Sequence, residues 1–249
     1  MAAEQALRTT AEALRASNAV KDEFLGLISH ELRTPVTTIF GNATLLSGRD
    51  EIGDREQAMI HDIVGDSDRL LRIVENLLQL TRLGAGTELD LEPQVLDHVV
   101  HQALSSYRRR HPNRDVRLTT TPPSAVVDAD KTAIELLVEN LVSNADKYSP
   151  PDEPIDVVVE CVDGEARLHV LDRGIGISTE SAGDVFNAFF RSDEARRAAS
   201  GMGVGLAVCK RIVEAQGGRV WAGPREGGGA DVGFALPIGP ELEDTRGDF

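Results

Sequence analysis

Only two cysteines, Cys161 and Cys209, occur in the chain, far apart and with no Cys-x-x-Cys spacing, which excludes a disulfide framework and a thiolate zinc site. A reducing compartment, the cytoplasm, is the expectation. Aromatic residues make up only 4 %, so the core must be packed from Leu, Val and Ile. Basic residues are outnumbered, 26 Lys and Arg against 41 Asp and Glu, and the resulting formal charge of −15 repels a phosphate backbone. Nucleic acid is therefore not an expected partner. No apolar run approaches the roughly 20 residues of a membrane span, and the N-terminus lacks the cationic-then-apolar layout of a secretory signal.

At 249 residues there is room for two domains, each with its own core. Residues 1 to 46 read as one long helix that begins without a cap, as if continued from a longer protein, and that Pro35 should bend. Its apolar stripe is Val20, Phe24, Leu27, Ile28, Leu32, Val36, Ile39, Phe40 and Ala43. Residues 47–54, with two glycines among polar residues, predict a turn, and a second helix should run from Arg55 to Arg82. That helix carries two apolar rows, one through Ile60, Ile63, Ser67, Leu70, Val74, Leu77 and Thr81, the other through Val64, Leu71 and Leu78. A single hairpin cannot bury both. Two hairpins in a four-helix bundle can, which predicts a homodimer; the alternative is that the hairpin packs on its own second domain.

After a short linker, Leu83 to Thr87, the pattern becomes mixed. Strands are predicted at Leu89–Leu91, Val116–Thr120, Ala125–Val127, Ile155–Val162 and Ala166–Leu171, the last two flanking an Asp163-Gly164 hairpin turn. Helices are expected at Leu96–Arg109, Lys131–Lys147 and Val204–Gln216, and a closing hairpin at Arg219–Trp221 with Asp231–Leu236. The sum is an α helical hairpin followed by an α+β sandwich, with a disordered polar tail from Pro240.

Turning about 100° per residue from Ile28, Leu32 and Ile39 stay within about 40° of the stripe while His30 lands near 200°, facing solvent. Thr34, one turn on, shares that face, where its hydroxyl can hold a water. An imidazole with an unperturbed pKa of about 6.5 is largely neutral and nucleophilic near pH 7, and Glu31 can orient the ring and take up its proton. Further on, Asn140, Asn144 and Lys147 share one face of a helix whose remainder is covered by Ile134, Leu137, Val138 and Leu141. Carboxamide oxygens there suit Mg²⁺, and the Lys147 ammonium suits a phosphate. Asp172-Arg173-Gly174-Ile175-Gly176-Ile177 follows a strand, where a carboxylate can accept from an exocyclic amine and glycines let backbone approach a flat base. Gly201-Met202-Gly203-Val204-Gly205-Leu206 opens a helix whose first amides can cradle phosphates; it is neither a Rossmann fingerprint nor a Walker loop. The segment 178–200, with Phe186, Phe189, Phe190, Arg191, Arg196 and Arg197, reads as a lid.

Five motifs in this order resemble the cytoplasmic transmitter of bacterial sensor histidine kinases, from about residue 17 to 238. SHELRTP resembles the H box, NLVSNADKYS the N box, DRGIGI and GMGVGL two glycine boxes, and VFNAFFR the phenylalanine box. The resemblance implies a coiled-coil transmission helix over 1–19, a dimerisation and phosphotransfer hairpin over 20–84, a Bergerat-type ATPase domain over 88–239 and a tail over 240–249. It implies that His30 is phosphorylated from Mg-ATP and passes the group to an aspartate of a response regulator. Asn144 then carries the metal, Asp172 reads adenine with Tyr148, Gly174, Gly176 and Ile177 around the base, and Lys147 and Arg191 contact phosphate. Asn140, Gly201, Gly203, Val204, Gly205 and Leu206 complete the nucleotide site. Glu31 and Thr34 match a Glu-x-x-Thr arrangement that adds regulator phosphatase activity. Arg173, Met202 and Val204 depart from the commoner residues without removing a ligand, and any membrane link would come through a sensor region outside this sequence. Two rivals predict otherwise: a gyrase- or MutL-type ATPase with His30 dispensable, and a scaffold that does no chemistry.

Overall fold

The computed structural model describes residue 32 and residues 34–46, 53–84, 89–121, 125–199 and 201–239. The transmission helix expected over 1–19, His30, Glu31, residues 47–52 of the expected turn, residues 85–87 of the expected linker and the tail from 240 lie outside the described residues. The chain divides into two compact units between Leu78 and Gln79.

In the first unit lie helix α1, residues 34–46, and most of α2, Asp54–Gly84, whose last residues belong to the second unit. Asp54 and Glu56 occupy the first turn of α2, where they oppose the positive helix end, and the Glu56 carboxylate accepts from the Gly53 amide at 3.1 Å. Pro35, Glu56, Ile73 and Asn76 are buried, whereas Val36 (49 %), Phe40 (72 %), Val64 (53 %) and Val74 (40 %) are open to solvent. Among the described residues of α2, Ile60, Val64 and Val74 of the rows named from periodicity are exposed and Ile63 and Leu70 half-buried, while Ile73, which belongs to neither row, is buried.

The second unit is an α+β sandwich. Its main sheet has the order β2-β4-β5-β7-β6, with β2 Val116–Thr120, β4 Ile155–Val162, β5 Glu165–Leu171, β6 Arg219–Pro224 and β7 Ala230–Pro237. β2 runs parallel to β4 and every other neighbour is antiparallel. Two strands, β1 Glu92–Val95 and β3 Val126–Ala129, form a separate antiparallel ribbon. Helices α3 Leu96–Arg110, α4 Lys131–Tyr148 and α6 Gly205–Ala215 share one core with the sheet. The alternation in β4 and β5 buries Ile155, Val157 and Val159 with Ala166, Leu168 and Val170 against Leu137, Leu141, Val208 and Ile212. Burying each large aliphatic contributes about 1.5–3 kcal/mol, which is how an aromatic-poor chain holds its core.

Asp163 (φ 55°) and Gly164 (φ 79°) both adopt left-handed backbone, the geometry a two-residue hairpin requires. The strand expected at Leu89–Leu91 is a correction: Leu91 N–H bonds back to Leu89 O at 3.1 Å, so that stretch curls, and pairing begins at Glu92 opposite Ala129. Pro93 is tolerated there because the ribbon is short and edge-like. β3 likewise begins at Val126, one residue late, since Ala125 O instead accepts from Leu96 N at the start of α3. The lid segment contains a short 3₁₀ turn, Asp184–Phe186, and helix α5, Asp193–Ala198, capped by Ser192.

Candidate active site

Helix α4 starts at Asp130, whose carboxylate accepts from Ala133 N at 3.0 Å. It presents Asn140, buried at 7 % exposure, then Asn144 and the exposed Lys147 to the helix start of α6. A Cβ at Gly205 would stand 3.3 Å from Asn140 Oδ1 and 3.9 Å from Asn144 Nδ2, so glycine is what lets this helix end approach the two amides. Gly201 lies against the same neighbourhood, a Cβ there falling 2.5 Å from Lys147 Nζ. Among the described residues the Asn144 side chain makes no hydrogen bond and Lys147 no ion pair; the ammonium lies 4.8 Å from the centre of the Tyr148 ring. A cation, an unpartnered carboxamide and free helix-end amides converge, which suits a chelated phosphate.

The base side is built around the C-terminal end of the same helix, at Tyr148 and Ser149. Asp172 is 6 % exposed, and its Oδ1 accepts from Gly174 N (2.8 Å) and Ala230 N (3.1 Å). Oδ2 has no protein partner among the described residues and is not sealed from solvent. Such a carboxylate is fixed by one oxygen and offers the other to a ligand. Burial pushes its pKa up, opposed by the two amides and by the charges of Arg225 and Arg114. The native state thus holds the proton more tightly than the unfolded chain: stability is greatest below the unfolded value and falls as pH rises through the raised one. Once ionised, the carboxylate is an acceptor whose burial the fold bears as a cost.

Gly174 packs on Tyr148 O, where a Cβ would approach to 2.1 Å, and Ile175 N donates to the same carbonyl at 3.3 Å. Gly176 (φ +77°) faces Gly229 O, Ile177 is half-buried, and Ser149 Oγ accepts from Arg173 N at 3.2 Å. Val204 is buried in the core and Leu206 packs against it, so what these two can offer a phosphate is backbone. The Arg191 guanidinium engages backbone carbonyls: Nη1 donates to Gly201 O (2.9 Å), and Nη2 to Ala195 O (2.6 Å) and to Ala199 O, fastening the lid to the glycine loop. Phe189 N donates to Gly203 O at 2.9 Å, and Phe186 is the buried anchor. In the first unit Thr34 is exposed and its carbonyl accepts from Thr38 Oγ1 at 3.3 Å.

Residues that sequence reading passed over complete the base side: Arg225, Gly229 and Ala230 in the β6–β7 turn, Ser149, and Asp156. The run Gly227-Gly228-Gly229, all with positive φ, was the available signal. Among the described residues no group of His, Cys, Asp and Glu could hold a metal, so a metal here depends on carboxamide and ligand oxygens, which Mg²⁺ accepts. The unpartnered Asn144 amide beside Asn140 Oδ1 fits that demand. No described helix is long and apolar enough to cross a membrane.

Comparison with known proteins follows the same division. Residues 20–86 match the His Kinase A (phospho-acceptor) domain, and residues 129–240 match the histidine kinase-, DNA gyrase B- and HSP90-like ATPase. The sensor-like histidine kinase SenX3 of Mycolicibacterium smegmatis is 33 % identical over 240 residues, covering 92 % of this chain and 62 % of SenX3. The mycobacterial sensor histidine kinase MprB is 30 % identical in its solved structure, covering 60 % of this chain and 99 % of that one, with a TM-score of 0.53. ShkA, solved with AMPPNP, is 27 % identical over 87 % of this chain and 46 % of its own, with a TM-score of 0.62. The chain spans less than two thirds of SenX3. With both domains matched in order on the two units that the fold separates, the chain belongs to the sensor histidine kinase family and carries its phospho-acceptor and ATPase domains.

Proposed function

We propose that the chain is an ATP-dependent protein histidine kinase that phosphorylates its own His30 and passes the group to an aspartate of a response regulator. The observation that carries this reading is the pocket in the second unit. There Asp172 offers one carboxylate oxygen for an adenine amine, while Asn144, Lys147 and the start of α6 face the place a triphosphate would occupy. The solved ShkA complex with AMPPNP supports nucleotide binding in this family. Mg²⁺, when bound, neutralises phosphate charge and orients the γ-phosphoryl group. Asn144 would hold it, with Asn140 beside it.

In the step itself an imidazole nitrogen of His30 attacks γ-phosphorus, the N–P bond forms as the bond to the bridging oxygen breaks, and ADP leaves. Glu31 accepts the proton from the other ring nitrogen. Incubation with γ-labelled ATP should put acid-labile, alkali-stable label on the wild type and none on His30→Gln. Free phosphate release with His30 dispensable would instead establish the gyrase-type ATPase. Homodimerisation is supported by the exposed Val36, Phe40, Leu45, Ile60, Val64 and Val74 of the hairpin, apolar surface that a second copy would cover. The proposed setting is the cytoplasm, where ATP and the regulator are available.

Thr34, exposed and four residues after His30 in the sequence, is the proposed water-holding residue for regulator dephosphorylation. Thr34→Ala should lower phosphatase activity about tenfold or more while autophosphorylation stays within about twofold, in keeping with the 10²–10⁴-fold typical of positioned proton-transfer groups. Equal loss in both assays would remove the assignment.

A further inference from the structure

At the backbone carbonyl of Asp172, three charged residues meet. Arg225 Nη1 donates to Asp172 O at 3.2 Å, and its Nη2 lies 3.8 Å from Asp156 Oδ2. Arg173 Nη2 donates to the same Asp156 oxygen at 2.8 Å, and its Nη1 donates to Pro154 O. Arg225 also opens the turn that ends at Ala230: its N–H donates to Gly229 O at 3.1 Å, and Ala230 N donates to Asp172 Oδ1 at 3.1 Å. One turn therefore grips both the carbonyl and the carboxylate of Asp172. The side chains of Arg225 and Asp156 are only 21 % and 25 % exposed, so their charges act with little screening.

We infer that Arg225 and Asp156 are positioning residues for nucleotide recognition, acting through Asp172 by holding its peptide and setting the charges behind its carboxylate. The inference rests on the reading of this pocket as an adenine-nucleotide site. Ligand capture needs the ionised carboxylate, so affinity falls on the acid side as Asp172 takes up a proton. The groups bearing on that proton are Arg225 from the β6–β7 turn and Arg114 from the segment before β2, both favouring ionisation, and the amides of Gly174 and Ala230. Asp156 and Arg173 stand one step behind.

Two substitutions then act with opposite signs. Arg225→Gln removes a favourable positive charge, so protonation comes earlier and the acid-side loss of ADP affinity moves to higher pH by about one unit. Asp156→Asn removes a like charge and leaves Arg225 less neutralised, so the loss moves to lower pH. A merely structural fastening would weaken binding in both without opposite displacement. The test is calorimetric titration of the full chain with ADP from pH 5 to 8, with Arg225→Lys expected to return the profile towards wild type. Adenine's own titration is common to all variants and cancels in the comparison. If Arg225→Gln does not fold, the direction of the Asp156→Asn shift decides alone. Displacement of both variants in one direction, or of neither, overturns the inference while the wild type still binds ADP; a wild type that binds no ADP overturns the pocket reading and the inference with it.

Discussion

Gly174→Ala is expected to reduce ADP affinity by at least about 100-fold while far-UV circular dichroism stays near wild type. The added Cβ would stand 2.1 Å from Tyr148 O and 2.7 Å from its carbonyl carbon. Both are backbone atoms at the end of α4, so no side-chain rotation relieves the clash. The loop must move instead, and with it goes the Gly174 amide that holds Asp172 Oδ1 at 2.8 Å. Losing that amide leaves a buried carboxylate half-satisfied, at a cost of about 1–3 kcal/mol, and misplaces the oxygen that faces the ligand. Gly229→Ala should match it from the opposite side, because there a Cβ meets Asp172 O at 2.1 Å on a backbone with φ of +92°. Gly228→Ala is the control: φ is +99° but nothing lies within 4 Å, so it should cost about 1–2 kcal/mol of stability with ADP affinity kept. Wild-type affinity in Gly174→Ala would show that the close approach is not needed for binding.

How far the sequence announced this pocket depends on whether each part is local or assembled. The Asp163-Gly164 hairpin was legible because two residues with left-handed backbone fix the turn by themselves, and the alternating burial of β4 and β5 follows from it. Helix α4 was legible because Asp130 caps it and its apolar face is continuous; Asn140 and Asn144 then stand out as polar residues with no reason to be there. By contrast, β1 was placed three residues early because its position is set by the register with β3 rather than by its own composition.

Long-range contacts account for the other misses. Arg225 and Ala230 lie more than fifty residues beyond Asp172 and reach it only because β5 pairs with β7, Leu171 opposite Asp231. Asp156 reads as an ordinary outward residue of an alternating strand until Arg173 folds over it. Arg191 is a further case: composition offers a cation for a phosphate, and the guanidinium also holds two lid carbonyls, Ala195 and Ala199, and one of the glycine loop, Gly201. A nucleotide that drew Arg191 inward would first have to free those carbonyls, which couples lid opening to phosphate contact.

Asn144→Ala should lower autophosphorylation by about 100- to 1000-fold, the scale seen when a single preorganised ligand of the developing charge is removed. The two amides differ in their partners. Asn140 is buried and Gly205 stands against its Oδ1, so this amide is part of the packing between α4 and α6, and its removal should cost stability as well as activity. Asn144, half-buried and without a hydrogen bond among the described residues, contributes little to the fold, so its loss falls on the bound state. The two variants should therefore separate: Asn140→Ala with a lowered melting temperature, Asn144→Ala with an unchanged one. Calorimetry gives a readout independent of phosphoryl transfer. ADP binding measured in EDTA should be the same for wild type and Asn144→Ala, because Asp172 and the glycines on the base side are untouched. Added Mg²⁺ should then strengthen nucleotide binding only in the wild type. Equal strengthening in both would place the metal on other groups and leave Asn144 as an ordinary polar residue of the helix face.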